Sequence, residues 1–175
     1  LYGFIDRYPD TELESILRGI IPENLKEPRV ATGHIVIDSI INSKLNSVSD
    51  ERIEFMCDII VPKKINIDNI DLAVVLGNLL DNAIEGCLSV ENHRFIDLKI
   101  QFDNNRIKLR ISNSFDGIVN KQANRFLSRK EDKDIHGFGL KSIQRIVDKY
   151  SGFQSIEYTD DVFTVSMILN EALTE

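Results

Sequence analysis

Helical and strand periodicities alternate along this chain, and their order constrains the fold more than any other feature of the sequence. Apolar residues recur at helical spacing over residues 32–48 and again over residues 71–88. Between these segments an apolar residue occupies every second position over residues 53–61, which predicts a strand that Pro62 ends. A helix, a strand and a second helix in this order point to a fold in which helices pack on a sheet.

The second half of the chain adds strands that are expected to pair with their neighbours. Residues 96–102 and 107–111 have strand patterns, and Asp103-Asn104-Asn105 between them is typical of a hairpin turn. The remaining predicted elements are a helix over residues 140–150 with Gly152 as its C-cap, and strands over residues 153–158 and 162–169. The predicted fold class is therefore α+β, a two-layer α/β sandwich whose mixed, mainly antiparallel sheet is covered on one face by helices. A purely parallel doubly wound sheet fits this order poorly.

Composition and charge argue against several classes of protein. Across 175 residues, Lys+Arg 21 against Asp+Glu 28 gives a net charge of -7, so no nucleic-acid partner is expected. The two cysteines, Cys57 and Cys87, provide no disulfide framework. Cys57 lies in the apolar register of its strand and is predicted to be a core residue rather than a reactive thiol. Because no apolar run is long enough to span a bilayer, a soluble, acidic, intracellular domain is expected.

Residues 1–28 have a pattern of their own. Thr11 and Glu14 have capping-box spacing, and apolar residues follow at helical intervals. This predicts a helical appendage over residues 1–28 and a main domain over residues 29–175. The appendage is either a helix packed on the core or, since the chain begins at Leu1 without methionine, part of a longer protein.

Two asparagines in the predicted helix 71–88 call for a functional reason. Asn78 and Asn82 lie four residues apart, one helical turn from each other, and Glu85 follows three residues later. Asparagine is a poor residue for a helix interior because its amide competes for backbone hydrogen bonds. Amide oxygens at this spacing can hold Mg²⁺ together with substrate phosphates. A solvent-facing polar stripe is the alternative interpretation.

A glycine-rich segment opens the last predicted helix. Gly137-Phe138-Gly139-Leu140 follows His136 and ends a long polar loop, residues 112–136, that carries several cations. Glycines at a helix N-terminus let backbone N–H groups approach phosphates. Arg129 and Lys130 would then supply positive charge near an anion. Alternatively, the glycines make a flexible start to a helix and the cations are solvated surface.

A third candidate segment ends the strand before that loop. Asn113 is expected to leave the sheet where a buried amide could recognise a base, and Gly117 would let the chain turn closely beneath it.

Together, these three segments resemble the N, G1 and G2 boxes of the GHKL superfamily, which includes gyrase, Hsp90, histidine kinases and MutL. The resemblance covers residues 30–169 and implies a Bergerat fold that binds Mg²⁺ and ATP. It implies that Asn82 and Asn78 hold Mg²⁺, that Asn113 replaces the aspartate that binds the adenine amino group, and that residues 120–135 form an ATP lid. The nucleotide-binding residues implied in this way are Asn113, Gly117, Ile118, Arg129, Lys130, His136, Gly137, Phe138, Gly139 and Leu140.

Position 78 favours one branch of the superfamily. GHKL ATPases usually carry a glutamate there that activates water, and an asparagine cannot take the proton. The chain therefore resembles histidine kinases, and residues 33–44, 77–86 and 136–143 are similar to the peptide-pheromone-responsive sensor kinases of Gram-positive bacteria. This implies transfer of the γ-phosphoryl group to a histidine of a dimerisation domain, a second kinase protomer and a response regulator as partners. It also implies a cytoplasmic location, with membrane attachment only through an N-terminal sensor region.

The phosphate acceptor is expected upstream of Leu1. None of His34, His93 and His136 lies in a helix that resembles an acceptor box. Residues 1–21 would then be the second helix of the dimerisation hairpin. Two alternatives stay open: a serine kinase of the anti-sigma-factor type, and a degenerate GHKL module that acts by binding partners.

Overall fold

The computed structural model describes residues 29–49, 51–118, 121–122, 125–126 and 138–171. The helices are α1 (Ile35–Ser47), α2 (Asn69–Leu88) and α3 (Phe138–Lys149). The strands are β1 (Glu54–Ile60), β2 (Phe95–Asp103), β3 (Arg106–Ser114), β4 (Lys121–Gln122), β5 (Arg125–Phe126), β6 (Phe153–Tyr158) and β7 (Val162–Asn170). The predicted helix in residues 1–28, and the domain division that depends on it, lie outside the described residues.

Five of the strands form one mixed sheet in the order β1-β2-β3-β7-β6. Only the β1–β2 pair is parallel, and the other three pairs are antiparallel. Helix α2 packs on β2, β3 and β7, while α1 packs on α2 and α3 packs on α2, β6 and β7. The predicted α+β sandwich is therefore confirmed.

The core lies between α2 and the central strands. Apolar residues at helical spacing on α2 face apolar residues at every second position of β2 and β3, as the two periodicities require. The fully buried members include Leu72, Leu76, Leu79, Leu80, Ile96, Leu98, Ile100, Ile107 and Ile111. This packing fixes the rotation of α2 about its axis and hence the direction in which its polar residues point.

A hydrogen-bonded cluster fixes the N-terminal end of α2. The Asp68 side chain caps the helix by accepting from Ile70 N (2.8 Å) and Asp71 N (3.2 Å). The Tyr150 hydroxyl accepts from Asp68 N (2.9 Å) and donates to Asp71 Oδ2 (2.8 Å). The Lys149 ammonium donates to the same carboxylate and, as the largest cause, lowers the pKa of Asp71. The start of α2 is thereby tied to the end of α3.

The segment that leads into α1 is held by a buried carboxylate. Asp38 accepts from Thr32 N (2.9 Å), Thr32 Oγ1 (2.7 Å) and Gly33 N (3.0 Å). Thr32 and Gly33 therefore form a bonded turn ahead of the helix, and α1 begins at Ile35, three residues after the predicted start. His34 is only 4% exposed, and its Nδ1 has no hydrogen-bond partner. Burial lowers the pKa of His34.

The prediction that Cys57 is a core residue is wrong, because its side chain is exposed. Strand β1 is at the edge of the sheet, and α2 lies over the inner strands. Alternation in the sequence shows which side chains share a face, but whether a helix covers that face depends on the position of the strand in the sheet.

The observed ends of two elements, β3 and α3, also differ from the predicted ends. Strand β3 continues to Ser114, so the first three residues of the predicted loop 112–136 belong to the sheet. Strands β4 and β5 pair with each other within the predicted lid. At the end of α3, Ser151 rather than Gly152 takes the left-handed conformation, with φ 45°. Gly152 serves another purpose there, because a Cβ on it would lie 2.2 Å from Ile168 O. The predicted Asn104-Asn105 turn is confirmed, with φ 50° and 58°.

Candidate functional site

One row of residues along α2 organises the candidate site. Asn78, Asn82 and Gly86 follow one another at intervals of four residues and therefore share one side of the helix. A rise of about 1.5 Å per residue separates Asn82 from Gly86 by about 6 Å along the axis, and Asn78 from Gly86 by about 12 Å. The row ends where Gly86 meets Asn113 of β3.

The Asn82 end of the row offers amide oxygens to solvent. Asn82 is exposed, and no described residue hydrogen-bonds to its side chain. Asn78 is half-buried, and its Nδ2 donates to Val74 O (2.7 Å) within the helix, which leaves its Oδ1 as an acceptor. Oxygen ligands are those that Mg²⁺ prefers, and Mg²⁺ is usually held by one or two protein oxygens together with waters and phosphates. The donor set therefore fits the Mg²⁺ that the resemblance implies.

An ion pair beside Asn82 joins α1 to α2. Lys44 Nζ lies 2.6 Å and 2.8 Å from the two carboxylate oxygens of Asp81. The side chains are 30% and 58% exposed, so solvent screens the pair and its net contribution to stability is about 0–1 kcal/mol. Both carboxylate oxygens of Asp81 bind the Lys44 ammonium, so the positive charge of Lys44 already has a negative partner next to Asn82.

The other end of the row is buried. Asn113 is 3% exposed, and its Nδ2 donates to Ser114 O (2.9 Å). It was expected to leave the sheet, but it lies within β3, paired with Ile96 on one side and Phe163 on the other. A Cβ built on Gly86 would lie 2.3 Å from Asn113 Nδ2, so the amide occupies the space that a side chain on α2 would fill. No described residue donates to its Oδ1, so the amide keeps an acceptor of the kind that the resemblance assigns to adenine.

A hydrogen-bonded cluster joins β2, β3 and α2 beneath Asn113. The Ser114 hydroxyl accepts from Phe95 N (3.1 Å) and lies 3.5 Å from Cys87 Sγ, while the Cys87 thiol donates to Phe95 O (3.0 Å). Burial, the largest cause, raises the pKa of the Cys87 thiol, so it stays protonated near neutral pH. The cluster fixes the backbone of Ser114, and with it the carbonyl that holds Asn113.

The segment after β3 is docked on the β6–β7 turn. Phe115 N donates to Asp161 O (3.0 Å), and Ile118 N donates to Asp116 Oδ1 (3.0 Å). Gly117 has φ 75°, and a Cβ on it would lie 2.5 Å from Asp160 O. The glycine is therefore required by its backbone conformation and by a close approach to Asp160, whereas the sequence predicted a close turn beneath Asn113.

A family model described as the GHKL domain matches residues 67–170. The chain belongs to the GHKL domain family. No curated protein sequence matches the chain.

Several solved structures share the fold of this GHKL domain. The catalytic domain of histidine kinase ThkA is similar with a TM-score of 0.62 and 17% identity, over 81% of this chain and 93% of that one. The mycobacterial sensor histidine kinase MprB has a TM-score of 0.53 and 20% identity, over 77% and 93%. Histidine kinase AdeS of Acinetobacter baumannii has a TM-score of 0.57 and 14% identity, over 98% and 77%. At these identities the likeness shows the fold.

The structure brings together some of the predicted site residues of the GHKL domain. Asn78 and Asn82 lie along the row on α2 whose last residue, Gly86, meets Asn113, and Gly117 and Ile118 follow the strand that carries Asn113. The Ile118 side chain is 61% exposed. Phe138, Gly139 and Leu140 form the first turn of α3. Arg129, Lys130, His136 and Gly137 lie outside the described residues, so their predicted phosphate contacts stay predictions.

Sequence reasoning missed two features of the site. Gly86 belongs to a segment that resembles the family but is not among the predicted site residues, although a glycine inside a helix, four residues after Asn82, is a usable signal. The Ser114–Cys87 contact was missed because it joins residues far apart in the chain.

Among the described residues, His, Cys, Asp and Glu form no group of three or more that could hold a metal ion. None of the described helices has the length and apolar character needed to cross a bilayer.

Proposed function

We propose that this GHKL domain is the catalytic domain of a sensor histidine kinase, which binds Mg²⁺ and ATP and supports transfer of the γ-phosphoryl group to a histidine. The observation that carries the proposal is the row on α2, in which two asparagines precede a contact with a buried amide. The structural similarity to ThkA, MprB and AdeS, each named as a histidine kinase, supports it.

The base is assigned to the buried end of the row. Asn113 presents an amide that the strand and the helix hold in place. A buried, fixed hydrogen-bonding group discriminates well, because a ligand that fails to match it leaves the group unpaired.

The phosphates and Mg²⁺ are assigned to the exposed end. Mg·ATP, when bound here, would supply the γ-phosphoryl group, and the metal ion would offset charge on the phosphates. Asn82 would hold Mg²⁺ through its amide oxygen, with Asn78 one turn away. The cations of the lid, Arg129 and Lys130, together with His136 and the glycine-rich start of α3, would complete the phosphate site.

The choice of kinase over ATPase depends on position 78 and on the histidines. Asn78 cannot act as a general base toward water, so efficient hydrolysis is not expected. His34 is 4% exposed and His93 lies in a loop with φ 55°, so neither is presented on a helix surface as an acceptor. The third histidine, His136, is assigned to the phosphate site. We assign the acceptor to a dimerisation domain outside this chain, with a second protomer and a response regulator as partners. The domain would act on the cytoplasmic side of a membrane sensor.

Calorimetric titration tests nucleotide binding. The chain is titrated with ADP and with a non-hydrolysable ATP analogue, each with and without Mg²⁺. We expect Mg²⁺-dependent binding that Asn82→Ala weakens by about 100-fold or more, because losing even an outer-shell partner of a metal ligand costs about 10–100-fold. Asn92→Ala, an exposed asparagine in the loop before β2, is the matched control and should bind as the wild type does. Absence of binding by the wild type under every condition would overturn the proposal.

Phosphorylation with radiolabelled ATP tests the acceptor. A kinase chain extended by its dimerisation hairpin should acquire an acid-labile phosphate typical of phosphohistidine, and Asn82→Ala should abolish the label. A stable phosphohistidine found by mass spectrometry on the present chain alone would contradict the assignment of the acceptor to another domain.

A further inference from the structure

The two glycines inside α2 differ in what surrounds them. A Cβ built on Gly77 would meet nothing within 4 Å. A Cβ on Gly86 would lie 2.3 Å from Asn113 Nδ2, 3.3 Å from Ser114 O and 3.5 Å from Asn113 Cγ. Glycine weakens a helix interior, so the contact with Asn113 is a physical reason for glycine at position 86 that does not apply at position 77.

The Asn113 side chain has little freedom to move away. It is 3% exposed and has only two side-chain torsions. Its Nδ2 donates to Ser114 O at 2.9 Å, and turning the amide over would bring two acceptor oxygens together. The amide is therefore held with Oδ1 as its remaining acceptor, and no described residue donates to that oxygen.

We propose that Gly86 is a positioning residue that sets the base preference of the site, an inference that rests on the proposed nucleotide-binding function. By leaving space for the Asn113 amide, Gly86 keeps Oδ1 available as a hydrogen-bond acceptor. A 6-aminopurine donates a hydrogen bond from its amino group to such an acceptor. A 6-oxopurine presents an oxygen at the same place and would leave Oδ1 facing another acceptor. The site therefore selects 6-aminopurines over 6-oxopurines.

An alanine at position 86 would force the amide out of this arrangement. The added methyl group would overlap Asn113 Nδ2, so the side chain must turn or β3 must shift away from α2. Either movement removes the fixed acceptor. We expect Gly86→Ala to weaken ADP binding about tenfold and to change IDP binding little, because IDP has no 6-amino group to donate to Oδ1.

Calorimetric titration of the full chain with Mg·ADP and with Mg·IDP tests this inference. The wild type should prefer ADP about tenfold, and Gly86→Ala should reduce that ratio to about one. Gly77→Ala is the matched control in the same helix and should keep the ratio of the wild type. A Gly86→Ala variant with an unchanged ratio would overturn the inference while leaving the proposed function in place. A wild type that binds neither nucleotide would overturn the proposed function, and this inference with it.

Thermal unfolding without nucleotide provides a second measurement. Gly86→Ala should lower Tm when Asn113 is present and should lower it much less in an Asn113→Ala background, because the crowded amide is then absent. This comparison remains informative if Gly86→Ala alone folds poorly, since the double variant should then fold. Equal losses of Tm in both backgrounds would show that the methyl group does not act through Asn113 and would contradict the inference.

Discussion

At the Asn113 end of the row the polar groups are buried and bonded to one another, whereas at the other end Asn82 is exposed, Asn78 is half-buried, and no described residue donates to either amide oxygen. Asn113, Ser114 and Cys87 are each almost fully buried and connect β2, β3 and α2. Asn82 is exposed, and Asn78 uses only its Nδ2, in a bond within its own helix.

This difference has a consequence for stability and binding. The buried end is completed by folding, so its geometry exists before a ligand arrives and its residues also stabilise the domain. The exposed end would be completed only by a metal ion and phosphates, so its residues can be changed without unfolding the protein. Substitutions at the two ends should therefore separate stability from binding.

The largest expected effect is at Asn113. Asn113→Ala removes a buried hydrogen bond and leaves a cavity, so we expect a loss of about 2 kcal/mol in the free energy of unfolding. Asn82→Ala, which changes an exposed helical residue, should alter that free energy by no more than about 0.5 kcal/mol. Urea unfolding of both variants measures the difference. Equal losses at the two positions would contradict the comparison.

A smaller loss is expected at Ser114. Ser114→Ala leaves Phe95 N and the Cys87 thiol without their hydroxyl partner, which should cost about 1 kcal/mol and lower Tm by about 2–4 °C. Ser166→Ala on β7 serves as the control, because Ser166 is only half-buried, and its Tm should stay close to that of the wild type. Calorimetric melting distinguishes the two. A Ser114→Ala variant as stable as the control would show that the cluster does not support the buried end.

At Asn78 the expected effect on stability has the opposite sign. Asn78→Ala replaces a poor helix former by the best one and removes only a side-chain bond to Val74 O, so we expect a gain of about 0.5 kcal/mol. The same variant should bind Mg·ADP more weakly. Urea unfolding combined with titration checks both results. A loss of stability would show that Asn78 supports the fold, as Asn113 is expected to do. It would then contradict the difference between the two ends of the row.

The smallest expected effect is a pH dependence outside the row, at His34. Burial lowers its pKa from 6.5, so below this pH the unfolded chain takes up a proton that folded His34 resists. The contribution of His34 to stability is therefore fully present above pH 6.5 and decreases as the pH falls toward the folded pKa. Melting at neutral pH and at about pH 5.5 should show this decrease. In the His34→Gln variant, the loss of stability between the two pH values should be smaller than in the wild type. The His93→Gln variant, changed in an exposed loop, should lose as much stability as the wild type.

Much of the fold could be predicted because its elements are amphipathic or end at clear turn residues. The helix pattern over residues 71–88 and the Asn104-Asn105 turn both appear in the structure within two residues of the expected positions. The strand containing Cys57 was placed correctly, but its burial was not. Periodicity reports which residues share a face, and only the sheet order shows that β1 is at the edge.

In the candidate site, too, some features could be predicted from the sequence and others only from the structure. Asn78 and Asn82 could be found from spacing alone, because four residues make about one helical turn in any α-helix. Asn113 and Gly117 are weak signals alone, and their roles come from the resemblance to the GHKL boxes. The sequence did not show that Asn113 stays within β3, since the end of a strand depends on whether its neighbours continue to pair with it.

The sequence by itself determined the local elements, the α+β class and the row of asparagines, because these depend on contacts between residues close in the chain. Tertiary structure alone decided that Gly86 lies against Asn113, that Ser114 joins Cys87 and that Cys57 is exposed. These contacts bring together α2, β2 and β3, whose relative positions are set by packing of the whole core. Periodicity fixes directions within an element, whereas only packing fixes the distances between elements.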